Sequence, residues 1–311
     1  MKPQGALVIP AYNSRLTVGE TMVSVASQTG LERIKTVYLV DDASSDDTVE
    51  TALAAWKNVP TPLVVLRNAV NRGERESLNQ VFSQIGTSVP WIFILHSDDI
   101  AKPLWLEAMF RRIDGCDENV GSVCSSWDNL LPDGKVHKGE DDPARAFNRI
   151  EGGPASVRST LKVGCWWHIS GCAIRSRTFE EVGNFVRDMP QLGDFDWLLR
   201  CLARGWAVDY IPATLILYRS TAGSVSSVSF RMGRDVEEML RILRAHGGVL
   251  TPDEIKSKRR SLMKQSARRF VKSVLYLRFR TAGNYLCLMR AIARGPKTPG
   301  REDRAAGPAR S

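Results

Sequence analysis

Two adjacent aspartates follow an apolar run in the segment WIFILHSDDIAKP, residues 91–103. The run predicts a buried strand, so Asp98 and Asp99 would stand side by side just beyond its end. Two carboxylates in such a place repel each other unless a cation lies near them. Mg²⁺ or Mn²⁺ would supply that charge, because these ions prefer carboxylate, water and phosphate oxygens. The alternative role, capping a helix at residues 105–113, is disfavoured because Asp99 lies too far before that helix.

His96 stands two residues before this pair and has two interpretations. It could be an additional metal ligand, although imidazole nitrogen is a softer ligand than carboxylate oxygen. It could instead be the last residue that the strand contributes to the sheet. The sequence leaves both interpretations open.

A second pair of acids, Asp194 and Asp196, begins the predicted helix in LGDFDWLLRCLARGW. A carboxylate in a partly closed crevice can take the proton from a hydroxyl group that acts as a nucleophile. Residues two apart do not share a helix face, so only one of the two can point into such a site. The alternative is that both acids simply stabilise the positive end of the helix dipole.

The elements that must position these acids alternate between strand and helix. Apolar stretches predict strands at residues 6–9, 36–40, 62–68 and 91–96. The first two intervening helices are predicted to begin with a capping box of Thr17 and Glu20 and with a Ser44 or Ser45 cap, and a capping role is also favoured for Asp46 and Asp47. This alternation predicts an α/β protein with a parallel, doubly wound sheet. In such sheets ligands bind beyond the carboxyl ends of the strands, where the polar residues of this sequence fall.

Six short motifs resemble those of the family 2 glycosyltransferases and occur in the family's order. They are VIPAYN, VDDASSDDT, NRGERESLN, HSDD, GDFDWLLR and YRSTAGSVS, and they cover residues 5–227. The resemblance implies the GT-A fold, a Rossmann-like, mostly parallel central sheet flanked by helices, here with a C-terminal helical extension. We expect a GT-A domain at residues 1–227, with its nucleotide-binding half at 1–100 and its acceptor-binding half at 101–227. A basic helical extension at 228–294 and a disordered tail at 295–311 would follow.

The resemblance also implies a function. We expect a metal-dependent, inverting transfer of a sugar from a nucleoside-diphosphate sugar, with UDP as the carrier, to a hydroxyl acceptor. The acceptor would be a carbohydrate or a lipid-linked molecule in polysaccharide or glycolipid biosynthesis, and Mg²⁺ or Mn²⁺ would be the cofactor. The alternative is a non-catalytic nucleotide-sugar-binding protein of the same fold.

The matched motifs imply which residues bind the donor. Asp42 would accept a hydrogen bond from the nucleotide base, although Asp41 and Asp42 could instead cap the following turn. Asp98 would face the ribose and the metal, and Asp99 would bind the metal. The residues expected against the base are Pro10, Ala11 and Tyr12, of which Tyr12 could equally be a packing residue.

Arginines are expected at the diphosphate. Arg72 lies in a loop after the third strand and could reach it, with Arg67 and Arg75 as rivals. Arg219 matches a segment that closes over the diphosphate in the family. The acids on either side of Arg75 depart from the family pattern, and they would need to pair with arginine or face solvent.

On the acceptor side the resemblance implies Asp194 as the catalytic base, with Asp196 as the alternative. The residue before the base is usually Glu in the family and is Gly193 here. The candidates for acceptor contacts are Trp166, Trp167, His168 and Trp197. Of these, Trp167 and Trp197 are the expected contacts, since sugar faces stack on indole rings, although large aromatic side chains more often fill a core.

The charge of the chain is concentrated near its C-terminus. The 311 residues carry a net charge of +9, and residues 254–311 hold 16 Lys and Arg against three acids. Residues 256–294 interleave these cations with apolar residues, as a basic amphipathic helix on an anionic membrane surface would. The alternative is a helix that packs its apolar stripe on the catalytic domain. No nucleic-acid-binding motif is recognisable, so we expect no nucleic acid partner.

The remaining features concern the compartment. The six cysteines form no Cys-x-x-Cys pair, which predicts free thiols in a reducing environment. No apolar run is long enough to span a bilayer. We therefore expect a cytoplasmic protein, either free in the cytosol or held peripherally at the inner face of the cell membrane.

Overall fold

A computed structural model describes residues 4–139, 148–220 and 225–294. The described chain divides into two compact units, one up to Ser229 and one from Phe230 onward. The tail predicted to be disordered, residues 295–311, lies outside the described residues.

The first half of the first unit alternates strand and helix as the sequence predicts. Its strands are β1 (Gly5–Ala11), β2 (Ile34–Asp41), β3 (Leu63–Arg67) and β4 (Trp91–Ile94). Its helices are α1 (Val18–Ala26), α2 (Thr48–Trp56) and α3 (Glu74–Ile85). The strands lie in the order β3-β2-β1-β4 and every pairing among them is parallel. Every residue of β1 is buried, as expected for a central strand that is covered on both faces.

The second half of this unit extends the same sheet with mixed pairing. Its strands are β5 (Ile100–Ala101), β6 (Val120–Leu130), β7 (Val136–His137), β8 (Arg149–Ile150), β9 (Ala173–Arg175) and β10 (Ala207–Arg219). Its helices are α4 (Trp105–Asp114), α5 (Pro154–Val163), α6 (Ser176–Val182), α7 (Gly193–Ala203) and α8 (Val225–Met232), the last of which continues past Ser229. β9 joins β4 to β6 by antiparallel pairing, and β10 runs parallel to β6.

α4 anchors the segment that carries the two adjacent aspartates. Trp105 and Phe110 of this helix pack on Phe93 of β4, with ring centroids 6.0 and 4.9 Å apart respectively. The Trp105 indole N–H donates to the carbonyl of Gly171 at 3.0 Å, so its polar atom is satisfied within the core. Each large side chain buried in this way stabilises the fold by about 1.5–3 kcal/mol. The chain between β4 and α4 is therefore fixed at both ends.

Two predicted helix caps are wrong. Thr17 does precede α1, but its hydroxyl donates to a preceding backbone carbonyl and caps nothing. Of the two aspartates also favoured for capping, Asp46 accepts the N–H of Thr48 at 3.1 Å, whereas the side chain of Asp47 makes no cap. Ser44 accepts the N–H of Asn13 at 2.9 Å instead, because the loops that follow β1 and β2 lie against each other.

The second unit is helical and has a small core of its own. It contains α9 (Arg234–His246), α10 (Pro252–Leu275) and α11 (Phe279–Arg294). Val236, Leu262 and Ile292, one from each helix, form its buried cluster. Leu262 lies within residues 256–294, for which an amphipathic helix on a membrane was one expectation, and its burial shows that this part of α10 packs within the unit. Among the described residues, no helix is both long and apolar enough to cross a membrane.

Polar contacts hold these helices together. The Arg269 guanidinium donates to both carboxylate oxygens of Asp235 at 2.8 Å. The Arg259 Nε donates to the carbonyl of Ile292 at 3.0 Å, which places the start of α10 beside the end of α11. α10 and α11 therefore form an antiparallel hairpin.

Candidate active site

The adjacent aspartates lie in the turn between β4 and β5, at the carboxyl end of β4. Asp99 is fully buried, and its Oδ1 accepts the backbone N–H of Arg219 at 3.0 Å. The Arg219 Nε donates to the backbone carbonyl of Asp98 at 2.9 Å. β10, which pairs antiparallel with β5, therefore holds both aspartates in place through Arg219.

The residues of this turn fit a divalent cation. Ligand atoms of His96, Asp98 and Asp99 all lie within 4.8 Å of one another. Within the described chain the second carboxylate oxygen of Asp99 is buried and accepts no hydrogen bond of normal geometry, although the Ser170 hydroxyl lies close enough to lower the Asp99 pKa. A buried oxygen without a well-placed donor is costly, and a hard cation is the partner that such an oxygen prefers. Asp98 and Asp99 are thus suited to hold Mg²⁺ or Mn²⁺.

Electrostatics supports the same conclusion. Burial and the neighbouring Asp98 carboxylate raise the pKa of Asp99 to about 7. Burial also raises the pKa of Asp98. Both shifts record the cost of holding two carboxylates in a poorly solvated turn, which a bound cation would remove.

His96 lies past the end of the strand and beside the turn that carries Asp98 and Asp99. β4 ends at Ile94, and the His96 N–H donates to the Ser170 hydroxyl at 3.0 Å rather than to a neighbouring strand. Its Nε2 lies 3.3 Å from Oε1 of Glu74. Burial lowers the pKa of His96, but the Glu74 carboxylate outweighs this effect and raises it to about 9. His96 is therefore not an in-sheet residue, and it pairs with an acid that the sequence analysis did not assign.

A buried arginine connects this pair to the candidate base. The Arg75 Nη1 donates to Oε1 of Glu74 at 2.9 Å, and its Nη2 lies 3.9 Å from Oδ1 of Asp194. Its guanidinium also lies over the Phe185 ring, 5.7 Å from the centroid. A Cβ atom at Gly193 would come within 3.2 Å of the Arg75 Nε, so the glycine leaves room for this guanidinium. The sequence contained a signal for this pair, because the acids beside Arg75 were expected to pair with an arginine or to face solvent. Glu74 pairs with Arg75 itself.

Asp194 and Asp196 point to different surroundings, as their spacing requires. The Arg200 Nε donates to Oδ2 of Asp196 at 2.8 Å, and the same guanidinium donates to the carbonyl of Asn184 at 2.8 Å. Asp196 thus belongs to an ion pair that fixes α7. Asp194 is the acid of the two that lies beside Arg75, in the first turn of the helix, where its Oδ1 accepts the N–H of Phe195 at 2.8 Å.

On the donor side, Asp42 organises a loop. Its Oδ1 accepts from the Arg72 N–H and its Oδ2 from the Gly73 N–H, both at 2.8 Å. The Asn68 side chain donates to the same carboxylate at 2.8 Å. Asp42 therefore shapes the loop after β3, a role that sequence reasoning missed, and contact with a nucleotide base stays a prediction.

The other expected donor contacts lie around this loop and β1. Pro10 and Ala11 are buried at the end of β1, whereas Tyr12 and Arg72 are exposed. Arg67, a rival of Arg72, pairs with Asp41 at 3.1 Å and is occupied there. Arg72 therefore has an exposed guanidinium on the ligand edge of the sheet.

Arg219 contacts both aspartates from the side of β10. Besides its bonds to the turn, its guanidinium pairs with Glu20 of α1. The structure therefore gives Arg219 a positioning role toward Asp98 and Asp99. Its expected contact with a diphosphate stays a prediction.

The expected acceptor contacts of Trp167 and Trp197 are wrong. Both side chains are fully buried and stack with ring centroids 5.5 Å apart. The Trp167 Nε1 donates to the Ser122 hydroxyl at 2.9 Å, and the Trp197 Nε1 donates to the Gly183 carbonyl at 3.1 Å. They are core residues because a large ring contributes most when it is buried.

Three half-buried rings lie near the turn of Asp98 and Asp99: His168, which the sequence offers as a candidate acceptor contact, and Trp127 and Tyr218, which sequence reasoning missed. His168 lies 4.9 Å from the Trp127 ring and 5.1 Å from the Tyr218 ring, measured between centroids. Its ring is 6.3 Å from that of His96. Burial lowers the pKa of His168, which favours a neutral imidazole. Only the fold brings these rings together, since they come from three distant segments.

Known proteins resemble this chain in sequence and in fold. Residues 6–153 match the family model of glycosyl transferase family 2. An uncharacterised protein of Mycobacterium tuberculosis is 28% identical over 255 residues, which are 78% of this chain and 75% of that protein.

Two solved structures share the architecture. TarS of S. aureus in complex with UDP-GlcNAc gives a TM-score of 0.55 at 14% identity, covering 95% of this chain and 93% of that one. The mannosyltransferase PcManGT of Pyrobaculum calidifontis, in complex with GDP-Man and Mn²⁺, gives a TM-score of 0.57 at 16% identity, with coverage of 96% and 77%. Identities this low establish the fold alone.

These findings confirm the predicted fold. The central sheet is mostly parallel and flanked by helices, and the C-terminal helices are present. The family match supplies the chemistry that the fold by itself does not. Residues 6–153 of the chain are therefore similar to glycosyl transferase family 2, and the described chain has the GT-A fold.

Proposed function

We propose that this protein is a glycosyltransferase that moves a sugar from a nucleoside-diphosphate sugar to a hydroxyl acceptor with inversion, using Mg²⁺ or Mn²⁺. UDP is the proposed carrier, as in the ligand of TarS, and GDP, as in the ligand of PcManGT, is the second carrier to be tested. The observation that carries the proposal is the buried, unbonded oxygen of Asp99 beside Asp98 at the ligand edge of the sheet. Such an edge is where open α/β sheets bind ligands.

Asp98 and Asp99 would hold the cation, which when bound would neutralise the negative charge that grows on a departing diphosphate. Arg219 keeps the two carboxylates in place through its backbone N–H and its Nε. On the same edge, Asp42 holds the loop that presents Arg72, whose guanidinium is proposed to reach the diphosphate.

Asp194 is the proposed general base. Its carboxylate would take the proton of the acceptor hydroxyl while that oxygen attacks the anomeric carbon of the donor sugar. Arg75, 3.9 Å away, would hold this carboxylate in one orientation. A single displacement of this kind inverts the anomeric centre.

The acceptor is proposed to be a hydroxyl group of a carbohydrate or of a lipid-linked carbohydrate. His168 and the rings of Trp127 and Tyr218 are proposed to face it, because a half-buried aromatic surface suits the faces of a sugar. We also propose that the second unit attaches the protein to the inner face of the membrane.

The proposal is tested by donor-profiled nucleotide release. Purified protein is incubated with UDP- and GDP-linked sugars, with and without Mn²⁺ or Mg²⁺, and with a pool of oligosaccharide and lipid-linked acceptors. Release that depends on donor, metal and acceptor is the expected result. Tight donor binding in calorimetry without turnover on any acceptor would instead favour a binding protein of the same fold. Full transfer by both Asp99→Asn and Asp194→Asn would overturn the assigned mechanism.

A further inference from the structure

The connection between α10 and α11 exposes a run of large apolar side chains. Leu275, Tyr276, Leu277 and Phe279 are 75%, 63%, 73% and 66% exposed. Single exposed apolar residues are common on soluble proteins, but a contiguous group of them indicates an interaction surface. We call residues 271–280 the hairpin tip.

The hairpin tip lies at the far end of the two helices from their packed part. Arg259 bonds Ile292, and Leu262 packs against Ile292 in the small core. Every residue at 274–280 is exposed, by contrast. At 1.5 Å per residue, the part of α10 from Arg259 to Leu275 spans about 24 Å. Residues 274–280 therefore project beyond the packed part of the hairpin, which ends at the buried Ser273 and Ala282.

The charge around the hairpin tip is of one sign. Residues 255–294 contain 12 Lys and Arg and no acid. Lys272, Arg278 and Arg280 flank the apolar run and are exposed. The Arg278 guanidinium lies 5.8 Å from the centroid of the Tyr276 ring, so the cations and the apolar group are in contact. Apolar side chains with cations at their edge match the surface of an anionic bilayer, which offers acyl chains beneath phosphates.

We infer that the hairpin tip inserts its apolar side chains into the headgroup region of an anionic membrane, while its cations contact lipid phosphates. This inference builds on the proposed membrane attachment. It restricts the residues that contact lipid from 256–294 to the hairpin tip, because Leu262, which lies within that range, is buried. An acidic protein partner would satisfy the same cations. Consecutive residues of a turn, however, point in different directions, which a fluid bilayer accommodates more readily than a folded surface. The inference does not depend on the transfer reaction and is tested without substrate.

The first experiment measures cosedimentation of the full chain with phosphatidylcholine vesicles, with and without phosphatidylglycerol. Binding is expected only to the anionic vesicles. The triple variant Leu275→Ser, Leu277→Ser, Phe279→Ser should bind roughly 100-fold more weakly, since it loses the inserted apolar surface. The matched control replaces three exposed residues of the first unit, Val23→Ser, Leu53→Ser and Val163→Ser, and should bind like the wild type.

The second experiment separates charge from insertion. Each cation near an anionic surface changes the binding constant about fivefold, so Arg278→Gln with Arg280→Gln should weaken binding roughly 20-fold. Tyr276→Trp should add fluorescence that brominated lipids quench, whereas Val163→Trp should add none that they quench. Absence of vesicle binding by the wild type, equal binding by the triple variant, or no quenching at Tyr276→Trp would overturn the inference. A wild-type dimer that the triple variant dissociates, with no lipid binding, would make the tip a subunit contact and would also overturn it.

Discussion

Arg75 is a charged side chain in a place that solvent hardly reaches. Its guanidinium is buried between the carboxylates of Glu74 and Asp194, and it rests on the Phe185 ring. A buried cation is tolerated only when its partners are well placed, so each of these groups constrains the others. The candidate base therefore lies beside a buried arginine that two carboxylates occupy, although Arg75 was a rival of Arg72 for the diphosphate.

Replacing Arg75 is expected to impair the chemical step more than donor binding. In Arg75→Met the carboxylate of Asp194 loses its fixed partner, and a small displacement of a catalytic group costs about 100-fold in rate. We expect kcat to fall by that order with little change in the KM for the donor, and Arg75→Lys to recover part of the loss. Steady-state nucleotide release measures both constants, and Arg111→Met, at an exposed arginine, serves as the control. An unchanged kcat with a raised donor KM would contradict this expectation and make Arg75 a donor-binding residue.

Asp99→Asn is expected to separate activity from stability. The substitution removes a charge that the proposed metal requires, so transfer should fall about 100-fold or more and calorimetric Mn²⁺ binding should weaken. In metal-free protein the same change removes a buried carboxylate oxygen that accepts no hydrogen bond of normal geometry from the described residues. The free energy of unfolding should therefore stay the same or rise by about 1 kcal/mol, as urea denaturation would show. A marked loss of stability without metal would mean that Asp99 is structural.

At the scale of secondary structure, short elements position the residues of the candidate site. β5 has two residues, yet its antiparallel pairing with β10 fixes the aspartate turn against a long strand. The loop after β3 depends in the same way on one carboxylate, Asp42, which gathers two backbone N–H groups and one side-chain amide. Both ligand-facing segments are therefore held by polar contacts from a neighbouring element rather than by their own secondary structure.

Asp42→Asn is expected to loosen the loop that carries Arg72. An asparagine offers one acceptor oxygen in place of two, so at least one N–H donor loses its partner at a cost of about 1–3 kcal/mol. We expect weaker nucleotide binding together with faster tryptic cleavage at Arg72. Asp46→Asn, at the start of α2, is the control and should leave both unchanged. Weaker nucleotide binding with unchanged cleavage would instead indicate that the carboxylate contacts the base directly.

At the scale of the whole molecule the chain consists of two units with separate cores. The first buries a mixed sheet between helices, and the second depends on a few apolar side chains and on the pair of Asp235 with Arg269. All eight tryptophans lie in the first unit, so their fluorescence reports on that unit alone.

Arg269→Met is therefore expected to shift only one unfolding transition. The pair is partly exposed on the arginine side, so its loss should lower the free energy of unfolding of the second unit by about 2 kcal/mol, less than for a fully buried pair. Heat unfolding followed by far-UV circular dichroism should show an earlier helical transition. Tryptophan fluorescence should keep its wild-type midpoint. A parallel shift of both signals would show that the two units unfold together.

The strand and helix pattern of the first half could be predicted because each element there is dictated locally. An apolar run such as TVYLV has one plausible structure, and a glycine such as Gly205 ends a helix. The short β5 and β8 could not be predicted, since two residues carry no periodicity. They form because each pairs with part of the long strand β10.

The site was predictable where adjacent residues define it and not where distant ones meet. Asp98 and Asp99 stand side by side in the sequence, and the structure keeps them together. Trp197 could not be assigned to core or acceptor site from its residue type, because an indole suits both. The approach of Arg75 to Asp194 depends on how α3 and α7 pack, which no local pattern records.

The ion pairs around Asp194 have a consequence for how this sequence can vary. Asp194, Arg75, Glu74 and His96 follow one another in space with alternating charge, so each group is compensated in part by its neighbours in the row. A change at one position leaves an uncompensated charge in a poorly solvated place, so substitutions here should be strongly epistatic, and a harmful one should be repaired by a second at the adjacent position. Relatives that keep a side chain larger than glycine at position 193 are accordingly expected to lack an arginine at position 75, since Gly193 and Arg75 share one volume.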